Sequence, residues 1–230
     1  MSSIYKKEYI SITYKDTKSS YPEKFCKHIF SDFSRDSKIL DVGCGNGKFT
    51  LEISKLGFDV CGIDISEENK LGDKFIKVDL QNETYPFPDN SFDVVFSKSV
   101  IEHLRHPDFL FDEVFRVLKP GGVFICLTPS WKHSYKEQFY VDHTHVTPFT
   151  RYSLETLCEL SGFESECSYF YQLPFLWKYP FLIFFIKLFA LLPIPYRPFS
   201  KIKWSEKINK FIRFSKEAML ISKAKKKCLD

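Results

Sequence analysis

The chain has 230 residues, 44% of them hydrophobic and 27% charged, which excludes a disordered polymer and suits one globular domain with a full core. Its net charge of +4 conceals an asymmetry, because residues 197–230 carry eleven Lys or Arg against three acids while the remainder is net acidic. The seven cysteines are odd in number and form no CxxC pair, which excludes a disulfide framework or zinc knuckle and suits a reducing compartment; the opening MSSIYKKEYISITYKD lacks a secretory pattern, so a cytoplasmic location is expected.

In chain order, Pro22 followed by Phe25, Ile29, Phe30 and Phe33 predicts a packing or lid helix over 22–33. Apolar runs suited to buried strands then fall at 38–42, 58–63, 74–80, 92–97 and 123–127, alternating with helical patterns at 48–55 and 108–118. Such alternation predicts a doubly wound α/β fold around a mostly parallel, seven-stranded sheet. LKPGG is expected to stop the second helix and turn the chain, and only a single turn fits between Asp64 and Lys74. Beyond Pro148, a helix opened by Thr150 or Ser153 and closed at Gly162 leads to a sixth strand at 164–171, and residues 218–222 suit a final edge strand.

The first strand runs into ILDVGCGNGKFT, with Gly43, Gly45 and Gly47 spaced two apart. Glycine permits left-handed backbone and close approach of a ligand, and the carboxyl edge of an open α/β sheet is where ligands bind. The spacing differs from the GxGxxG of nicotinamide enzymes and from the phosphate-binding P-loop. Asp64 and Asp79 follow at the ends of the second and third strands, where carboxylates suit ribose hydroxyls and an adenine amine. A ligand with a ribose and a base but no phosphate is implied.

ILDVGCGNGKFT, GIDIS, IKVDL, FPDNSFDVVFSKSVIEHL and LKPGGVFICLTP, in this order and spacing, resemble the motifs of class I S-adenosylmethionine-dependent methyltransferases over residues 38–163. The resemblance implies S-adenosyl-L-methionine as cofactor, S-adenosyl-L-homocysteine as product and a Rossmann-like fold. It further implies cofactor contacts from Asp41 and Gly43 near the methionine end, Asp64 at the ribose hydroxyls, Asp79 and Leu80 at the adenine and Ser97 below the sulfonium, with Cys44, Gly45, Gly47 and Ile65 also in the cofactor site.

Methyl transfer from a sulfonium is chiefly a matter of orientation, but a hydroxyl acceptor gains from losing its proton, a task suited to histidine. His103 lies just after the fourth strand; His143 and His145 lie in YVDHTHVTPFT, where an extended chain would point both to one face and Asp142 to the other. One of the latter two is the expected base. His-x-His also ligates metals, but no third ligand is near in sequence, so no metal is expected. His28, His106 and His133 have no such context and are expected to be solvated.

Residues 173–215 look like an insertion before the last strand. Their apolar centre, 181–195, is fifteen residues long, interrupted by Lys187 and bounded by prolines, whereas a span needs about twenty. Aromatic and basic flanks suit a helix lying in an anionic membrane interface, with a substrate lid or subunit contact as the alternative. Four parts are thus expected: a lid segment (1–37), a cofactor-binding core (38–172), the insertion (173–215) and a last strand with a basic tail (216–230). The implied activity is methyl transfer to a small or lipid-linked acceptor, first a sugar hydroxyl of a surface glycan, with a quinone or lipid acceptor or a non-catalytic cofactor-binding partner as alternatives. Nucleic acid is not expected, because the aromatic run is continuous and not interleaved with the basic residues.

Overall fold

The computed structural model describes residues 20–227 apart from 67–68, 137, 197–201 and 203, so most of the expected N-terminal lid segment and part of the basic tail lie outside the described residues. Strands β1 (Lys38–Val42), β2 (Asp59–Asp64), β3 (Phe75–Lys77), β4 (Phe92–Lys98), β5 (Leu118–Pro129), β6 (Phe163–Phe170) and β7 (Met219–Lys226) form one sheet in the order β3-β2-β1-β4-β5-β7-β6. The first five are parallel, and β7 pairs antiparallel with both β5 and β6. This is the Rossmann-like α/β arrangement that the alternation of strand and helix patterns predicts.

Both faces of the sheet are covered, which is why its strands read as unbroken apolar runs. Adjacent residues serve opposite faces: Ile39, Val94 and Ile125 pack with Phe25, Cys26 and Ile29 of α1 (Tyr21–Ile29) and Ile53 of α2 (Lys48–Lys55). Leu40, Val95 and Phe124 face Phe111, Val114 and Val117 of α3 (Pro107–Val117). Each fully buried Leu, Ile or Phe contributes about 1.5–3 kcal/mol, so the glycine loop after β1 rests on a stiff support. A short helix, α4 (Trp131–Ser134), follows β5, and α5 (Arg151–Leu160) opens on a capping box in which Thr150 Oγ1 accepts the Ser153 N–H and Ser153 Oγ accepts the Thr150 N–H.

Four expectations are corrected. Helix α1 ends at Ile29, because the chain turns at Phe30, whose N–H donates to Cys26 O, although Phe33 still packs against the core. Strand β3 has only three residues, so Asp79 lies beyond it. LKPGG is the start of β5 and not a turn: Leu118 pairs with Phe92, and a register shift between Phe92 and Val94 absorbs the irregularity. Strand β7 is interior rather than an edge, and β6 closes the sheet on that side.

The insertion carries α6 (Pro174–Lys178), α7 (Ile183–Ala190) and α8 (Glu206–Lys216). Trp177 ties it to the core by packing on Tyr21, Phe25 and Phe170 and stacking on His28 at 4.9 Å, while its indole N–H donates to Tyr171 O. Lys216 Nζ donates to the carbonyls of Ala190 and Leu192, a cationic cap on the end of α7. Among the described residues no helix is long and apolar enough to cross a membrane.

Candidate active site

The order β3-β2-β1-β4 brings the carboxyl ends of these strands side by side, and the predicted cofactor residues gather there. Strand β1 delivers a loop whose three glycines all have positive φ, +77° at Gly43, +53° at Gly45 and +79° at Gly47, where α2 begins. The amides of Gly43 and Cys44 both donate to Ile63 O of β2, at 2.8 and 3.1 Å, and the Gly45 N–H donates to Asp64 Oδ2 at 2.9 Å. The second oxygen of Asp64 accepts the Ser66 N–H at 2.7 Å. Among the described residues, Asp64 thus stays beside the loop with an unused lone pair on each oxygen.

The glycines are required for different reasons. A Cβ on Gly43 would sit 2.2 Å from Val100 Cγ2, and one on Gly47 would sit 2.6 Å from Leu71 Cγ. A Cβ on Gly45 would meet no atom of the other described residues within 4 Å. That open space beside bare main chain, flanked by the Asp64 carboxylate, fits the amino-acid and ribose portions of an adenosyl ligand. Val100 reaches Gly43 because the chain after β4 turns through Ser99, a non-glycine residue at φ +59°.

Asp41 is buried and accepts a 2.6 Å hydrogen bond from Thr50 Oγ1. Burial pushes its carboxyl up to about 7, against the opposing bond from Thr50. Cys44 is buried with its sulfur packed over Gly62, whereas Ile65 is exposed. Asp79 accepts from the Gln81 N–H at 3.0 Å and from Asn82 Nδ2 at 3.1 Å, capping the turn past β3, and Leu80 is buried beside it. Ser97 is buried at the end of β4, and its hydroxyl has no hydrogen-bond partner among the described residues.

The histidines separate. Residues 142–145 form a turn, closed by His145 N–H to Asp142 O and Thr144 N–H to Asp142 Oδ1, so the strand-like alternation expected there fails. His145 turns inward, 3.7 Å from Asp142 Oδ2, while His143 is exposed. His145 instead meets His103, ring centroids 4.7 Å apart. Burial, reinforced by the neighbouring His145, lowers His103 to about 4; burial also lowers His145, with Asp142 opposing. Both imidazoles are therefore neutral at pH 7. His133 also departs from the solvated state expected of it, bonding to Ser130 Oγ at 3.0 Å.

Glu102 is the functional candidate that sequence reasoning passed over, although it stands next to His103 in SVIEHL. It is fully buried, Thr128 Oγ1 donates to its Oε2 at 2.9 Å, and burial pushes its carboxyl up to about 7. Lys98, half-buried, is lowered to about 8 by loss of water, with Glu102 opposing. A hollow of about 470 Å³ lined by Glu159, Gly162, Phe163, Glu164, Ser165 and Lys227 lies at the opposite edge of the sheet, away from all of these groups.

Residues 18–168 match a family described as a methyltransferase domain. The chain belongs to the S-adenosylmethionine-dependent methyltransferases. It is 34% identical over 134 residues to a protein described as a probable S-adenosylmethionine-dependent methyltransferase of Mycolicibacterium smegmatis, covering 56% of this chain and 52% of that one. It is 31% identical over 101 residues to a ubiquinone biosynthesis O-methyltransferase of Maricaulis maris, covering 40% of each. The chain thus spans about half the length, or less, of these curated relatives. The fold matches a crystal structure of a SAM-dependent methyltransferase from Archaeoglobus fulgidus with a TM-score of 0.66 at 20% identity, over 96% of this chain and all of that one. S-adenosylmethionine is the methyl donor of this family, and the space at Gly45 with Asp64 beside it accommodates such a group.

Proposed function

We propose that this methyltransferase acts on a hydroxyl of a small or lipid-linked acceptor, first a sugar hydroxyl of a surface glycan, on the inner face of a membrane. The observation that carries the reading is a pair of neutral, half-buried imidazoles: His103, three residues beyond the Val100 that closes over Gly43, and His145, packed against its ring. When bound, S-adenosylmethionine supplies an electrophilic methyl group. The residues of the chain would then have two tasks: Gly45, Asp64, Asp79 and Ser97 would hold and orient the donor, and His145 would take the proton of the attacking hydroxyl while His103 hydrogen-bonds the acceptor. Because His145 Nδ1 lies 2.7 Å from Phe139 O, which only accepts, Nδ1 carries the proton and Nε2 is left basic. The outward position of His143 favours His145 as the base.

The O-methyltransferase relative supports an oxygen acceptor, and its role in ubiquinone biosynthesis supports a lipid-like quinone as the second reading. Membrane attachment is supported by the insertion, where Phe181, Phe184, Phe185, Leu188 and Leu191 are exposed together with Lys187. An outward apolar face with basic neighbours matches an anionic interface. The test is transfer of a labelled methyl group to a panel of sugar nucleotides, polyprenyl-linked sugars, quinols and phospholipids. Labelling of a glycosyl hydroxyl, reduced by His145→Ala, is the expected result; labelling confined to quinols or phospholipids, or none with S-adenosylhomocysteine still bound, would refute it.

A further inference from the structure

Glu102, His103 and His145 bring one ligand atom each to within 4.8 Å of one another. Two come from the turn after β4 and the third from the loop after β5, 42 residues further on, so the grouping exists only in the folded chain. Each side chain is held from behind in the way that metal ligands are. His145 Nδ1 donates to Phe139 O. Thr144 Oγ1 gives its proton to Asp142 Oδ1 at 2.6 Å, so it accepts from His103 Nδ1 at 2.8 Å. Both rings therefore carry their proton on Nδ1 and present the lone pair of Nε2. Glu102 Oε2 accepts from Thr128, leaving Oε1 fully buried with no hydrogen-bond partner among the described residues.

A buried carboxylate oxygen without a partner has lost its hydration with nothing in return, and a cation would relieve that cost. Lys98, the cation that acts on Glu102, is directed elsewhere: its Nζ lies 3.5 Å from Ser99 Oγ and 5.4 Å from the Phe49 ring centre. We propose that Glu102 Oε1, His103 Nε2 and His145 Nε2 form a site for a divalent transition cation, facing the acceptor side of the methyltransferase. Two imidazoles and one carboxylate are a donor set for Zn²⁺ or Fe²⁺ that leaves at least one position open. Donors around a tetrahedral Zn²⁺ with bonds of about 2.1 Å stand roughly 3.4 Å apart, so the donors, now within 4.8 Å of one another, would draw together by no more than about 1.4 Å on binding. Asp142 Oδ2, 3.7 Å from His145 Nε2, is within reach as a further ligand. Glu102 is buried while the two histidines are half-exposed, so the open position faces outward, where a hydroxyl could bind.

This deepens the hydroxyl-acceptor reading and rests on it for the role of the ion. With the cation in place His145 is a ligand and not the base, and the ion itself lowers the pKa of the coordinated hydroxyl, its proton leaving to water. The experiment is calorimetric titration of the full chain with Zn²⁺ and with Mn²⁺ after chelator treatment, with elemental analysis of the protein as purified. One equivalent bound, reduced at least tenfold in affinity by Glu102→Gln and by His145→Ala but not by His106→Ala, is the expected result. Each variant is checked for unchanged S-adenosylhomocysteine binding, which shows that it is folded. Failure to bind either ion, or binding unaltered in both variants, overturns the proposal. Hydroxyl methylation insensitive to chelator would overturn the ion's role while leaving the hydroxyl reading intact; a bound ion with only quinols or phospholipids methylated would overturn the sugar-hydroxyl reading while leaving the site.

Discussion

Gly43 and Gly45 make opposite predictions although both are left-handed glycines in one loop. Alanine at either position pays the left-handed backbone penalty of about 1–2 kcal/mol. At Gly45 nothing more is added, since no atom of the other described residues lies within 4 Å of the new methyl. At Gly43 the methyl would sit 2.2 Å from Val100 Cγ2, an overpacking of about 1–3 kcal/mol, for a total of roughly 2–5. In a chain of this size Gly45→Ala should lower Tm by about 2–8 °C and Gly43→Ala by roughly twice as much or more. Pairing Gly43→Ala with Val100→Ala should recover part of the loss as a coupling term of about 1–3 kcal/mol. Binding should rank the other way per unit of stability lost: the methyl of Gly45→Ala projects into the space assigned to the ligand, so S-adenosylhomocysteine affinity should fall at least tenfold, about 1.4 kcal/mol. Urea denaturation without ligand and calorimetry with S-adenosylhomocysteine separate the two quantities. Affinity of Gly45→Ala within twofold of wild type would refute the cradle, and equal stability of the two variants would refute the steric account of Gly43.

Three further outcomes follow from the same physical reasoning. Asp41 has an ordinary carboxyl pKa in the unfolded chain but one near 7 when folded, so the unfolded chain loses its proton first and stability falls as pH rises from about 4 to 7, levelling above; three units correspond to at most about 4 kcal/mol. Asp41→Asn should match wild type near pH 4 and exceed it at pH 8 by urea denaturation, and a parallel pH dependence in both proteins would show that Asp41 is not the source. Lys226 Nζ donates to the carbonyls of Phe115 and Leu118 at 2.7 Å and to Asn90 Oδ1 at 2.9 Å, so Lys226→Met should cost about 2–4 kcal/mol by stranding these acceptors; a loss below 1 kcal/mol in the same assay would show that water replaces the ammonium. Replacing Phe181, Phe184 and Phe185 with serine should reduce sedimentation with anionic vesicles severalfold at unchanged Tm, and an unchanged bound fraction would remove the membrane role of the insertion.

The corrections share a cause. Strand β7 and the LKPGG segment carry ordinary local signals, and it is pairing with distant partners that makes one an interior strand and the other part of β5. The aromatic insertion was recognisable from its composition, but the attachment of Trp177 to α1 and of Lys216 to the end of α7 depends on contacts across the chain. Asp142 and His145 were expected on opposite faces because alternation describes an extended chain, and a turn replaces it.

What the amino-acid sequence determined alone is the family and the cofactor it uses. The glycine spacing, the strand-end acids and the alternation of apolar runs are local features, and each reports a backbone requirement within a few residues. The grouping proposed for the acceptor side was decided by tertiary structure. Glu102 meets His145 only because β5 lies beside β4, and Asp41 rises toward neutral pH only because the sheet buries it, since proximity across strands and loss of water are properties of the folded chain.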